Sequence, residues 1–575
     1  MQRRPPATAP SPLPPSRTAG AGSRQGASPA TALLVVLVVA LAALAWHLRF
    51  LQDDAFISFR YAANLAHGHG LVWNPGEQIE GYTNFLWTLL LGGAVALGLD
   101  PAPTSLVLGI ACFVLTLLAT FRLARFVLGS AWPALGVVAL LGTNYSFAAY
   151  ATGGLETQLQ ACLLTWAAHL ALSAAFEDRA RPSRLAGLSL VCGLALLTRL
   201  DSALFVAVLG VLVVVALYRP AWLARPHAVS SAGAGVARPG RGALVWLFLP
   251  ALLLVGPWLA WKWGYYGDLL PNPFHVKVGS GTSLVRGLYY VALFCVSYLF
   301  AHVPVLVLAA FARRPAALRE PAGALLGLAL AWTLYVVGVG GDFMEFRFLV
   351  PMLPVGFVLA GWLFFARVRP VWLRVALALA VVGGSAHHAL TFGRVQHGVE
   401  SVELLQAHIT SEHWSQAGER LAETFPAGPD DVTIATTAAG VIPYYSGLRT
   451  VDMLGLNDRW IARHGEVVGT RPGHRRWAPL GYLLRRRVNL VIGHPWVVLR
   501  AFRSSFESLE ELVRNSVPFE GPLPEAARAA RLVELPLDRR TKLLMLYLVP
   551  SPRVEQALQR GALTVVPLGG APASP

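Results

Sequence analysis

The chain has 575 residues, 55% of them hydrophobic and only 14% charged, which excludes an ordinary soluble globule with a charged shell and assigns it to lipid. Its formal net charge of +16 does not imply a nucleic-acid partner, because the arginines cluster between apolar segments as the positive-inside bias requires. Cys112, Cys162, Cys192 and Cys295 all sit inside apolar runs and make neither a disulfide framework nor a zinc site.

Residues 1–30 are rich in Pro, Ser, Ala and Arg without periodicity and read as a disordered cytoplasmic tail. Thr31–Trp46 could serve as a signal-peptide core or as an uncleaved first span; either way Asp53 emerges outside. A helix needs about 20 apolar residues to cross a bilayer. Twelve stretches approach that length: 31–50, 83–99, 103–121, 131–150, 157–175, 185–199, 202–218, 243–262, 288–311, 321–340, 347–367 and 371–390. If all crossed, the basic loops at Arg122/Arg125, Arg179–Arg184 and Arg219–Arg241 would lie outside, against the orientation set by the N-terminal tail. The weakest stretch, 83–99, has a polar start at Thr83-Asn84 and an internal glycine pair, and is read as a juxtamembrane element on the outer side. About eleven spans remain, and every basic loop then falls inside.

The first outer loop opens on Asp53-Asp54. Adjacent carboxylates beside hydrocarbon are costly unless solvated, paired or metal-bound, so this pair is the leading catalytic candidate against a helix-capping or topology role. Arg60 follows on the same helical segment, and a turn-rich stretch with Gly68, Gly70 and Asn74-Pro75-Gly76 can fold His69, Glu77 or Glu80 back over it. Glu156 in TGGLE and the Arg199/Asp201 pair in TRLD stand at outer mouths of spans, where each could also merely mark an interface. The loop LLPNPFHVK (269–277) carries Asn272, His275 and Lys277. Lys277 is one of three lysines and could hold a phosphate as a point charge or simply snorkel. In GGDFMEFRF (340–348), Asp342 and Arg347 precede a span, with Arg347 able to pair with a carboxylate or clamp a leaving phosphate.

After residue 390 the hydrophobic density falls, and 391–575 is long enough for one extracytoplasmic α/β domain: an amphipathic helix over 411–425 and strands at 432–436, 488–492 and 543–548. The run Arg485–Arg487 reads as a solvated face. His387-His388, His397, His408 and His413 match no ligand spacing, and no Walker loop, dinucleotide-binding glycine turn or nucleophile elbow occurs in a suitable context.

DDAFISFRYA (53–62), HGHGLVWNPGEQIEGYTNFLW (67–87), TGGLE (152–156), LLPNPFHVK (269–277) and VDMLGLND (451–458) together resemble the GT-C membrane glycosyltransferases, more narrowly the branch of terminal arabinofuranosyltransferases of actinobacterial cell walls. The resemblance implies a mainly α, polytopic helical module over 31–390 in the bacterial inner membrane. It further implies a polyprenyl-phosphate-linked sugar donor and a cell-envelope glycan, lipid or protein acceptor on the outer side. It carries the catalytic role to Asp53 or Asp54 and pocket roles to Glu156, His275, Lys277, Asp342 and Arg347. A divalent cation could assist the departing charge, and metal use stays open at this stage. The rival readings are a transporter or flippase, which should show inverted repeats, and a membrane sensor or assembly protein with a closed cavity. No such symmetry is visible.

Overall fold

A computed structural model describes residues 29–177, 181–218, 242–277, 283–299, 321–366, 368–394, 398–426, 432–469, 471 and 473–569. The expected tail, up to residue 28, lies outside the described residues, as do most of the basic loops between 178 and 241 and the stretch 300–320. Pro29 and Ala30 already belong to the first helix, α1 (Pro29–His47).

Each of the twelve apolar stretches contains a helix. Seven are long and apolar enough to cross a membrane, among them α1, Thr157–Phe176, Gly242–Tyr266 and Pro321–Val339. Five shorter ones complete the set among the described residues, including Pro182–Thr198 and Ser202–Tyr218. Between α1 and the next long helix lie α2 (Asp53–Ala66) and α3 (Phe85–Ala96). At 1.5 Å per residue, the 12 residues of α3 reach roughly 18 Å, short of a hydrocarbon core of about 30 Å. The long helix α4 (Pro101–Leu128) starts where Asp100 accepts from the Ala102 N–H at 2.8 Å with Pro101 in the first turn, and stops at Gly129 in the left-handed conformation. Lipid-facing apolar side chains such as Val36, Val39 and Leu252 stay exposed on these helices, as a membrane protein requires.

The polypeptide beyond the last apolar helix builds a six-stranded mixed sheet. Strands β1 (Thr433–Thr436), β2 (Arg449–Asp452) and β3 (Leu490–Leu499) run parallel, with β1 central among them; β4 (Arg531–Pro536), β5 (Thr541–Tyr547) and β6 (Thr564–Val565) extend it antiparallel in the order β2-β1-β3-β5-β4-β6. The amphipathic helix spans Trp414–Thr424, slightly inside its expected bounds, burying Trp414, Ala417 and Leu421. Strand β3 runs on to Leu499, beyond the expected apolar core, because its second half pairs with β5 after an irregularity.

This domain is docked on α2. The Asp53 carboxylate accepts from the backbone N–H of Gly440 (3.1 Å) and Val441 (2.8 Å), at the start of the short helix Val441–Ser446. Seven residues on, along the same face of α2, the Arg60 guanidinium donates to the carbonyls of Pro443 and Leu448 at the other end of that docking helix. Anion at the N-terminus and cation at the C-terminus is the favourable sense for a helix dipole, each contribution being about 0.3–1 kcal/mol and up to about 2 where partly buried. Phe56 and Phe59 fill the middle against Tyr444, with ring centroids 5.5 and 6.2 Å away. The approach leaves no room for a side chain at position 440, where a Cβ would fall 1.7 Å from the Asp53 carbonyl oxygen. Further along, Asn74 donates to Thr450 O (2.8 Å) and accepts from Thr450 N (3.2 Å), and Glu77 meets Arg449 (2.6 Å) and Arg486 (2.5 Å). The arginine run thus has one member engaged between domains, while Arg485 lies over the Trp460 and Tyr482 rings.

Gly440→Ala is therefore expected to loosen the docked domain, costing about 1–3 kcal/mol through overpacking. Limited proteolysis in detergent should release the C-terminal domain faster than from the parent protein, with a lower unfolding temperature.

Candidate active site

The outer ends of several membrane helices and the first loop converge on a cleft of about 510 Å³, counting its open mouth. Asp54, Ile57 and Ser58 of α2 form one wall, and Tyr82, Thr83 and Asn84 at the end of the first loop form the next. Glu156, Arg199 and Arg347 make the polar base, while Pro273 and Leu456 contribute from opposite domains. Consecutive residues on a helix point about 100° apart. Asp53 is consequently spent on the docking helix, while its neighbour Asp54 faces the cleft.

Glu156 is the hub of the base and is 1% exposed. One carboxylate oxygen meets Arg199 and Arg347, both at 2.7 Å, and the other accepts from Asn84 at 2.8 Å. Burial pushes this carboxyl up, but Arg347 and Arg199 outweigh it and hold it at about 2, so it stays ionised. Asn84 is itself oriented, accepting from Ser58 (3.1 Å) and Thr88 (3.0 Å). Arg199 forks onto Asp201, with Nη2 to Oδ2 at 2.6 Å and Nε to Oδ1 at 3.2 Å; Gln160 donates to the same aspartate at 2.8 Å. Arg347 reaches Thr157 Oγ1 at 3.3 Å, while its Nη1 meets only the Met344 thioether sulfur at 3.5 Å. A phosphate oxygen is a far better acceptor than that sulfur, so the guanidinium is poised to exchange one for the other.

The other sequence candidates have different surroundings. Arg60 is 6% exposed and bound to carbonyls of the docking region, with burial pushing it down to about 10. Glu80 forms a buried pair with Lys262 at 2.8 Å. Asn272 donates to three carbonyls of the C-terminal domain, Gly455, Leu456 and Asp458. His275 pairs with Asp268 (2.9 Å), which also meets Arg463 (2.9 Å). His69 is exposed on the loop and does not line the cleft. Asp342 is buried beyond the base, accepting from the Phe343 N–H at 2.8 Å. Lys277 ends the short helix Asn272–Lys277, but its side chain lies outside the described residues. The cleft residues that sequence reading passed over are Ser58, Tyr82, Asn84, Pro273, Phe348 and Leu456. Only Thr83-Asn84 carried a visible mark, as a polar interruption before an apolar helix.

A divalent cation would need carboxylate donors with oxygens to spare. Glu156 has both oxygens committed, and no group of three or more His, Cys, Asp or Glu side chains gathers among the described residues. The described side chains do not build a cation cradle at the cleft, and no chemical step is routed through one below.

Residues 403–534 match a protein family described only as a domain of unknown function, DUF8728. The chain is 29% identical over 386 residues to a terminal beta-(1->2)-arabinofuranosyltransferase of Mycobacterium tuberculosis, covering 59% of this chain and 58% of that protein. It is 28% identical over 396 residues to the enzyme of the same name from Corynebacterium glutamicum, covering 60% and 54%. The chain thus spans a little over half the length of these curated relatives. In fold it is similar to the crystal structure of ArnT from Cupriavidus metallidurans bound to undecaprenyl phosphate, with a TM-score of 0.54 at 12% identity over 91% of this chain and 99% of that one. The likeness read from the motifs, to GT-C membrane glycosyltransferases and their arabinofuranosyltransferase branch, stands. So does the helical membrane module with a sheet-containing C-terminal domain.

Three carboxyls near the domain junction carry a pH dependence. Burial pushes Asp53 and Glu80 up to about 7 and Asp452 up to about 6, against ordinary values of about 4. The folded chain holds protons there that the unfolded chain has released, so their contribution to stability is full below about pH 4 and is lost as pH rises through about 7. Scanning fluorimetry should show the unfolding temperature falling between about pH 5 and about pH 8, with a shallower fall in Asp53→Asn.

Proposed function

We propose that the protein is a glycosyltransferase that moves a sugar from a polyprenyl-phosphate donor to a hydroxyl of a cell-envelope glycan or lipid on the outer side of the membrane. The observation that carries this reading is one cleft holding Asp54 opposite a pair of arginines clasped by Glu156. The donor's phosphate sits against Arg199 and Arg347, taking the place of the Met344 sulfur at Arg347. Asp54 accepts the proton of the acceptor hydroxyl as its oxygen bonds to the anomeric carbon. The bond from that carbon to the phosphate oxygen breaks, and its electron pair leaves with the polyprenyl phosphate, whose charge the two guanidiniums stabilise. Such a single displacement inverts the anomeric configuration. Glu156 stays anionic throughout and keeps two like-charged side chains at one place, while Asp201 braces Arg199 from behind. The curated relatives make arabinofuranose the first sugar to assay.

The same reading has eleven crossings, a cytoplasmic N-terminus and an extracytoplasmic C-terminal domain. It is supported by the convergence of the loops around Asp54, Glu156, Arg199, Pro273 and Arg347, which must share one side to line one cleft. The flanks of α3 give further support: Asn84 before it borders the cleft, and Asp100 after it lies near the docking helix, where burial and then Asp100 push the Tyr444 phenol up to about 12. A helix with both ends on one side does not cross.

With a panel of polyprenyl-phosphate sugars and product mass as readout, the purified protein should transfer one of them. Asp54→Asn should lower kcat by about 10²–10⁴-fold while polyprenyl phosphate still binds; full turnover in that variant removes the proposed base. In a cysteine-free background, Val95→Cys should react with an impermeant maleimide in intact cells and Ser130→Cys only after permeabilisation. Labelling of Ser130→Cys in intact cells would reverse the orientation.

A further inference from the structure

We infer that the C-terminal domain, including the region matched only as a domain of unknown function, is the acceptor-selecting half of the cleft, with Leu456 as its specificity-determining side chain for a sugar hydroxyl acceptor. This rests on the transferase reading above and adds which part of the chain chooses the acceptor.

Three observations lead there. The first is topological. In open sheets with parallel strands, ligands sit beyond the carboxyl ends of those strands. The carboxyl end of β1 runs through residues 437–440 into the docking helix on α2, and that of β2 runs through 453–458 into the cleft wall. The end of the sheet suited to ligands is the end turned toward Asp54.

The second is the rigidity of the loop that carries Leu456. The Asp452 carboxylate, buried at the end of β2, accepts from Leu454 N (3.0 Å), Asn457 N (2.8 Å) and Asn457 Nδ2 (3.1 Å). Asp458 then caps the following helix through Trp460 N (3.0 Å) and Ile461 N (2.9 Å). From the membrane module, the single Asn272 amide nitrogen reaches the carbonyls of Gly455 (2.8 Å), Leu456 (3.1 Å) and Asp458 (3.2 Å). On the other flank Asn457 Oδ1 accepts from the Tyr61 hydroxyl (3.2 Å) and closes on Gly81, where a Cβ would lie 1.8 Å from that oxygen. Both halves of the protein hold these residues, and the side chain left facing the cleft is an aliphatic one.

The third is the direction of supply. A polyprenyl chain stays in the bilayer, so its phosphate arrives beside Arg199 and Arg347 at the ends of membrane helices. An acceptor from the aqueous side arrives past the domain that carries Leu456. Leu456, Pro273 and Tyr82 offer that arrival an apolar and aromatic surface. It suits the C–H face of a sugar ring, with the ring's hydroxyls left to Asp54 and Asn84. Pockets of this kind discriminate by shape, and one methylene changes selectivity by about 10–200-fold.

The test uses the full-length protein in detergent or nanodiscs with the donor found active in the panel, and two oligosaccharide acceptors that differ in their terminal sugar. Parent, Leu456→Ala, Leu456→Trp and Leu456→Met are compared by kcat/KM for each acceptor, by KM for the donor, and by unfolding temperature. The expected result is a change of about tenfold or more in the ratio of the two acceptors for the Ala and Trp variants. It should be carried by acceptor KM with donor KM within about twofold, and Leu456→Met should return toward the parent ratio. An unchanged ratio in all folded variants, or donor KM moving in step with acceptor KM, overturns the inference while leaving the transferase reading in place. Failure of the parent protein to transfer any sugar overturns both.

Discussion

The site depends on a short helix held at both ends by one face of another. Asp53 and Arg60, seven residues apart on α2, grip the two poles of Val441–Ser446 and so fix where the C-terminal domain sits on the membrane module. Everything in the cleft that does not belong to a membrane helix takes its position from that grip. It turns Asp54 inward, brings the loop after β2 over Asn272, and draws Glu77 and Asn74 onto Arg449 and Thr450. Burying a carboxylate and a guanidinium is expensive unless their hydrogen bonds are met, and here backbone groups at helix ends meet them.

The base of the cleft solves a related problem. Two arginines near one another repel, and a phosphate site needs them together before the phosphate comes. Glu156 supplies the missing anion, and Asn84, Ser58 and Thr88 tie its second oxygen into the first loop. The result links α2, α3 and the ends of three membrane helices through one carboxylate. Such a network is preorganised, so little rearrangement remains when charge develops on a leaving group.

Much of this was legible in the sequence. Hydropathy located all twelve apolar helices, and the cost of charges near lipid singled out Asp53-Asp54, Glu156, Arg199 and Arg347. Adjacent carboxylates are equivalent on paper, and only the docked domain tells which one faces the cleft. Arg60, Asn272 and Glu80 carried the same mark of polarity beside membrane, yet they hold domains and loops together. Their partners are backbone carbonyls or a lysine within a span, and pattern cannot show those. Leu456 was invisible for the opposite reason: a leucine in a soluble domain looks like core. The motif around it was noticed as a likeness, and its physical content is a turn built by Asp452, Gly455 and Asn457.

The grip between Asp53 and Val441 joins residues 388 positions apart in the chain. During synthesis α2 reaches the outer face long before its partner exists, and at about 5–20 residues per second the wait is roughly 20–80 s. Through that interval Asp53 and Arg60 remain hydrated and Asp54 has no fixed direction. The nascent membrane module can insert and fold its helices while its chemistry stays switched off. Translation thereby acts as a timer: the enzyme becomes competent only when the last third of its chain has been delivered and docked.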